Sequence, residues 1–130
     1  MNSLLVNSNL KYRKLYIPGS KSESNRLLIL KSLFKELSII NISDCDDTNF
    51  LENGLQGSSS FIDIGHAGTA MRFLTSLFSI QAKSPKTLTG SSRMKQRPIK
   101  ILVDALRNLG AEITYLEKDG FPPLLIKPSV

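Results

Sequence analysis

Apolar residues recur in short clusters along the chain, set apart by Gly, Pro, Ser and Asn, and the clusters switch between a period near two and a period near 3.6. Residues 3–7 form a short extended run closed by the turn signal Asn7-Ser8-Asn9, and Lys14 to Ile17 form a second one. From about Ser22 to Leu37 the spacing is helical, with Leu27, Leu30, Phe34 and Leu37 on one face. Leu28 and Ile29 widen that stripe, which predicts burial on more than one side. Leu37-Ser38-Ile39-Ile40-Asn41-Ile42 reads as a strand. Ser43-Asp44-Cys45-Asp46-Asp47-Thr48 then has the acids of a helix start, and Phe50, Leu51 and Leu55 carry a short helix that ends near Gly54 or Gly57.

The second half is more regular. Phe61-Ile62-Asp63-Ile64 is a predicted strand, and the small residues of Gly65 to Thr69 lead into a helix with Ala70, Met71, Leu74, Leu77 and Phe78 inward. Lys86-Thr87-Leu88-Thr89-Gly90 is another strand. Pro98 suits the first position of a further helix, which puts Arg97 at its start. Ile99, Leu102, Val103, Leu106 and Leu109 line one face of it, Gly110 is a good C′ residue, and Arg107 falls in the last turn. Glu112 to Leu116 and Leu124 to Lys127 are final strands, joined through Lys118-Asp119-Gly120. The order from Phe61 is βαβαββ, and the fold class is a mixed α/β arrangement with helices packed on a mixed sheet.

Pro18-Gly19-Ser20-Lys21-Ser22-Glu23-Ser24-Asn25-Arg26 stands out as candidate chemistry. Gly19 permits a close backbone approach, and Ser20 or Ser22 can cap the helix. A helix start offers free N–H groups and partial positive charge, to which Lys21 and Arg26 add two cations. Basic residues in a first turn oppose the helix dipole, so an anionic ligand accounts for them; a capped helix with a solvated first turn is the alternative. Gly68-Thr69 with Arg72 repeats the theme, and Ser91-Ser92-Arg93-Met94-Lys95-Gln96-Arg97 adds three cations in five residues. If the strands ending in Gly lie side by side and point the same way, their helix starts converge on one anionic site.

Composition narrows the chemistry. The 130 residues suit one domain, with 41% hydrophobic and 22% charged residues. No apolar run is long enough to span a bilayer, and Met1 to Val6 lacks the features of a signal peptide, so a cytoplasmic protein with no membrane partner is expected. One Cys and one His exclude an internal disulfide and a multi-Cys or His-rich metal site. The acids at Asp44, Asp46 and Asp47 lack the Gly and distant Glu of a calcium loop, and they read as capping and solvated groups. The formal charge of +6 admits nucleic acid or small anions; the cations are dispersed, Trp is absent and aromatics are 7%, so nucleic acid is disfavoured. Neither a nucleotide P-loop nor the dinucleotide G-x-G-x-x-G spacing is present. His66 has no carboxylate or Cys partner in the sequence pattern and reads as a turn residue or polar contact.

Together, Pro18 to Arg26, Gly68-Thr69-Ala70-Met71-Arg72, Leu88-Thr89-Gly90 and Arg93-Met94-Lys95-Gln96-Arg97-Pro98-Ile99 resemble the 5-enolpyruvylshikimate-3-phosphate synthases. Leu102 to Leu106, Gly110-Ala111, Tyr115-Leu116-Glu117 and Pro122-Pro123-Leu124 extend the resemblance over nearly the whole chain, in order. UDP-N-acetylglucosamine enolpyruvyl transferase shares the fold but lacks the K-S-x-S-N-R run and uses a loop cysteine. Cys45, among acids, sits where a thiolate is disfavoured.

The resemblance implies transfer of the enolpyruvyl group from phosphoenolpyruvate to the 5-hydroxyl of shikimate 3-phosphate, releasing phosphate through a tetrahedral intermediate with no metal or cofactor. By matching positions it implies that Lys21 is catalytic and contacts both substrates, that Ser22 and Arg26 hold shikimate 3-phosphate, and that Gly68 and Arg97 hold phosphoenolpyruvate, at the position glyphosate occupies in sensitive members. His66, Phe73 and Gln96 depart from the frequent Asn, Pro and Glu of the family, all beside the phosphoenolpyruvate positions. Members are several times longer, with two domains of three βαβαββ units each. The resemblance therefore implies that 1–130 is a single partial domain with 61–128 as one unit. It implies too that the acid–base groups belong to a missing C-terminal portion, and that the chain alone does not turn over.

Overall fold

The structure is a computed structural model, and it describes residues 16–128 of the chain. Among the described residues, four helices and four strands follow in the order α1 (Lys21–Leu33), α2 (Asp46–Gln56), β1 (Phe61–Asp63), α3 (Gly68–Gln81), β2 (Lys86–Thr89), a 3-10 turn (Met94–Gln96), α4 (Lys100–Asn108), β3 (Ile113–Tyr115) and β4 (Leu124–Ile126). The sheet order is β1-β2-β4-β3. β1 and β2 are parallel, whereas β4 pairs antiparallel with both β2 and β3. A parallel pair needs a crossover, which α3 supplies, so β1 and β2 point the same way and both end at the same edge of the sheet.

Helix α3 lies at the centre of the packing. Ala70, Met71, Leu74, Leu77 and Phe78 are all buried, the face the periodicity predicts. Ala70, Met71, Leu74 and Phe78 share one core cluster with Leu51, Ile62, Ile64, Leu88, Val103, Leu124 and Ile126, of which Leu51, Ile64, Leu88, Val103, Leu124 and Ile126 are fully enclosed. Burying side chains of this size contributes about 1.5–3 kcal/mol each from apolar area.

Several expectations are corrected. In α1 the buried residues are Ser24, Asn25 and Leu28, while Leu27, Leu30, Phe34 and Leu37 are each 40% exposed or more. The predicted apolar stripe therefore faces outward. Tertiary partners hold two polar residues inward: Ser43 N donates to Ser24 Oγ at 2.8 Å, and Thr48 Oγ1 donates to Asn25 Oδ1 at 2.9 Å. The helix stops at Leu33, where Phe34 is extended, instead of continuing to Leu37. Residues 37–42 form no strand; Asn41 adopts a positive φ of 59°, which breaks the extended run. Tyr16 and Ile17 are exposed and outside the sheet, while the expected strand over 3–7 and its Lys14-Leu15 counterpart lie outside the described residues. Helix α4 begins at Lys100 after the unforeseen 3-10 turn, so Pro98 precedes the helix rather than opening it. Leu109 is 84% exposed; Ile99 and Val103 are the buried members of that face. Gly110, at φ 97°, ends the helix as expected.

Candidate functional site

Helix α1 starts with Ser20 as its N-cap, the hydroxyl accepting from Glu23 N at 3.4 Å. Lys21 and Ser22 occupy the first helical positions, and Asn25 and Arg26 follow one turn later on the same side. This turn is fastened to α2 and the loop before it by the two buried bonds through Ser24 and Asn25 and by Lys21 Nζ, which pairs with Asp47 Oδ1 at 3.2 Å. The Asp47 side chain is largely buried, so the pair is screened less than a surface ion pair.

Helix α3 starts differently. Ala67 gives no side-chain cap, and no acid lies in the first turn. Its leading N–H groups therefore keep the partial positive charge that favours an anion. Two loops bring Arg97 to this point. Asp63 Oδ1 accepts from Gly65 N at 2.8 Å, and Ser91 N donates to Gly65 O at 2.9 Å, which joins the turn after β1 to the turn after β2. Ser91 Oγ then accepts from Met94 N at 3.3 Å, starting the 3-10 turn that ends at Arg97. Arg72 ties α3 to the same segment, donating to Gly68 O at 3.2 Å and Pro98 O at 3.3 Å. The Arg97 guanidinium lies directly against Gly68: a Cβ there would sit 2.7 Å from Cζ and 2.8 Å from Nη2 and would also collide with Nη1. Gly is needed at 68 for that approach.

The result is a cavity of about 290 Å³ lined by Lys21, Ser22, Asn25, Arg26, Gly68, Thr69, Arg72, Phe73 and Arg97. All five residues that the resemblance assigned to substrates, Lys21, Ser22, Arg26, Gly68 and Arg97, line this one cavity. Four cationic side chains line it and no acidic one does. Arg26 turns back to Ser22 O at 2.9 Å and lies over the Phe73 ring at 5.9 Å. The Arg97 side chain makes no hydrogen bond or ion pair with any described residue, which leaves a planar bidentate donor facing the cavity. A neighbouring cavity of about 350 Å³ is lined by His66, Arg93, Met94 and Arg97. Of the three cations in the 93–97 run, Lys95 is turned away and pairs with Glu117 at 2.7 Å.

Asp46, Asp47, Cys45 and Asn25 carry roles the sequence did not reveal. His66 is an exposed turn residue, edge-on to Phe50, but it does have a carboxylate nearby, with Nε2 3.8 Å from Asp46 Oδ2. Asp47 holds Lys21 and is more than a solvated cap. The Cys45 thiol is held below its usual range by the hydroxyls of Ser43 and Thr48, which outweigh burial and the Asp47 charge; the acids alone had suggested the opposite. The Lys21 and Asn25 contacts depend on α1 packing against α2, and the His66–Asp46 approach depends on α2 meeting the turn before α3, whereas Ser43 and Thr48 are chain neighbours of Cys45.

A family model for EPSP synthase (3-phosphoshikimate 1-carboxyvinyltransferase) matches residues 51–130. The 3-phosphoshikimate 1-carboxyvinyltransferase of Bacteroides fragilis strain YCH46 is 52% identical over 112 residues, covering 85% of this chain and 27% of the relative. That of Histophilus somni strain 2336 is 41% identical over 142 residues, covering 85% and 32%. The fold is similar to EPSP synthase from Acinetobacter baumannii, with a TM-score of 0.71 and 22% identity over 88% of this chain and 31% of that one. The chain thus spans about a third or less of the length of the relatives it matches. Among the described residues no helix is long and apolar enough to cross a membrane.

Proposed function

The chain belongs to the EPSP synthase family, and on that premise we propose that it supplies part of the substrate site for transferring the enolpyruvyl group of phosphoenolpyruvate to the 5-hydroxyl of shikimate 3-phosphate. The observation that carries the reading is the single cavity in which the α1 start, the uncapped α3 start and Arg97 meet. Both substrates are anions with oxygens in forked groups, and the cavity wall is cationic with hydroxyl and amide donors.

In this reading Arg26 and the Ser22 hydroxyl hold shikimate 3-phosphate. Arg97 clamps a carboxylate or phosphate of phosphoenolpyruvate with parallel hydrogen bonds, and Gly68 leaves room for that clamp. Lys21 is a compact charge at the junction. It turns from Asp47 toward the reacting oxygens and stabilises negative charge as the 5-hydroxyl oxygen bonds to C2 of phosphoenolpyruvate. In that addition the 5-hydroxyl gives up its proton and C3 gains one; loss of a C3 proton then re-forms the double bond as the bond to phosphate breaks and phosphate leaves. The groups that move these protons belong to the remainder of the enzyme, so the chain by itself binds but does not turn over.

Calorimetric titration with shikimate 3-phosphate and with inorganic phosphate tests the site. Tighter binding of shikimate 3-phosphate is expected. Equal affinities would favour a non-catalytic module for small phosphorylated anions. Catalytic phosphate release on mixing the chain with both substrates would refute the assignment of proton transfer to residues outside it.

A further inference from the structure

One polar residue of the cavity wall holds a buried donor that the substrate contacts of Lys21, Ser22, Arg26 and Arg97 leave unused. Asn25 lines the cavity, yet the residue is only 1% exposed, and among the described residues its Nδ2 has no hydrogen-bond partner. Buried amide donors are nearly always satisfied, so an orphan beside a ligand cavity calls for an acceptor. The other end of the amide is fixed. Thr48 Oγ1 donates to Asn25 Oδ1 at 2.9 Å, and Cys45 Sγ lies 3.3 Å from the same hydroxyl. With Oδ1 held by Thr48, the NH₂ group is committed as a donor to something else. Asn25 follows Lys21 by four residues and Ser22 by three, so it shares their face of α1.

We propose that Asn25 is a further substrate-binding residue, its Nδ2 donating to an oxygen of the phosphorylated hydroxy-acid held by Lys21 and Ser22, with Thr48 as the positioning residue that sets the amide. This rests on the function proposed above. The nitrogen is closed to bulk water, so a ligand oxygen reaches it from the cavity side as Lys21 and Arg26 turn from Asp47 and Ser22 O to the ligand. As a neutral donor, Asn25 adds direction instead of charge: it selects where an oxygen sits within a field made by the cations.

The test follows the side-chain amide signals of the ¹⁵N-labelled chain during titration with shikimate 3-phosphate. The Asn25 pair is assigned by its loss in Asn25→Ser. At saturation that pair is expected to shift and to gain protection from solvent exchange. Thr48→Val, which removes the positioning hydroxyl without touching the cavity wall, is expected to weaken binding roughly five- to tenfold, and Thr48→Ser to restore it to within about twofold. If the Lys21 and Ser22 backbone signals move while the Asn25 pair stays still, the inference is overturned and the proposed function stands. If no signal moves at all, the proposed function fails and this inference fails with it.

Discussion

Gly68→Ala separates the stability of the fold from the geometry of its anion clamp. The new methyl would press on the Arg97 guanidinium, 2.7 Å from Cζ and 2.8 Å from Nη2. Restoring ordinary contact requires the guanidinium to retreat by roughly 1 Å. That group is the end of a flexible side chain with no described hydrogen-bond partner, so it moves at little cost to the fold. Position 68 is the first residue of α3; exchanging Gly for Ala in a helix with ordinary φ restricts the unfolded chain and is neutral to about 0.5 kcal/mol stabilising. Binding responds differently. A displacement of this size spoils a bidentate charge-assisted pair, so affinity for phosphoenolpyruvate falls about 10- to 100-fold, or about 1.4–2.7 kcal/mol. Calorimetry gives the affinity and thermal melting gives the stability. In an Arg97→Ala background the methyl has nothing to displace, so Gly68→Ala should then add little further loss. Retained affinity in the single variant, or a full additional loss in the double, would refute the steric argument.

Lys21→Ala and Arg97→Ala in a full-length relative-sized enzyme should each lower kcat/KM by several kcal/mol of transition-state stabilisation, through lost charge-assisted contacts; unchanged kinetics would remove that residue from the site. Gly19→Ala should destabilise the chain by about 1–3 kcal/mol, because its Cβ would collide with the Asn41 carbonyl oxygen and lie 3.1 Å from Ser43 N, backbone that has no rotamer to yield. A melting temperature within one degree of the parent would contradict this packing. Cys45 has a depressed folded-state pKa, caused first by Ser43 and then by Thr48. Its thiolate therefore adds stability above the ordinary thiol pKa, and the increment is lost as pH falls through the folded value. Iodoacetamide labelling against pH should have a lower midpoint in the folded than in the denatured chain, and Ser43→Ala should raise it; coincident midpoints would dismiss the hydroxyl effect.

Much of the second half was legible because its patterns are local. The inward face of α3, the strands on either side of it, the Gly110 helix stop and the Gly-rich turns all follow from period, propensity and backbone freedom within a few residues. The anion motif was legible for the same reason: Gly, Ser and cations at a helix start carry their chemistry in the chain itself. The first half resisted. Ser24 and Asn25 look like surface residues and are buried, while Leu27 and Leu30 look like core and are exposed. Pattern reading assigns polar side chains to water unless partners are visible, and their partners, Ser43 and Thr48, come from another element.

The sequence by itself therefore determined the order of helices and strands over residues 61–128 and the basic character of the helix starts, while the five residues assigned to substrates came from the resemblance to a family. Only the tertiary structure decided that those residues share one cavity, that Asp47 restrains Lys21, that Arg97 rests on Gly68, and that the Asn25 Nδ2 finds no partner among the described residues. The physical reason is that propensity and charge are properties of neighbours in the chain, whereas a contact between groups more than twenty residues apart exists only once packing has brought their helices together.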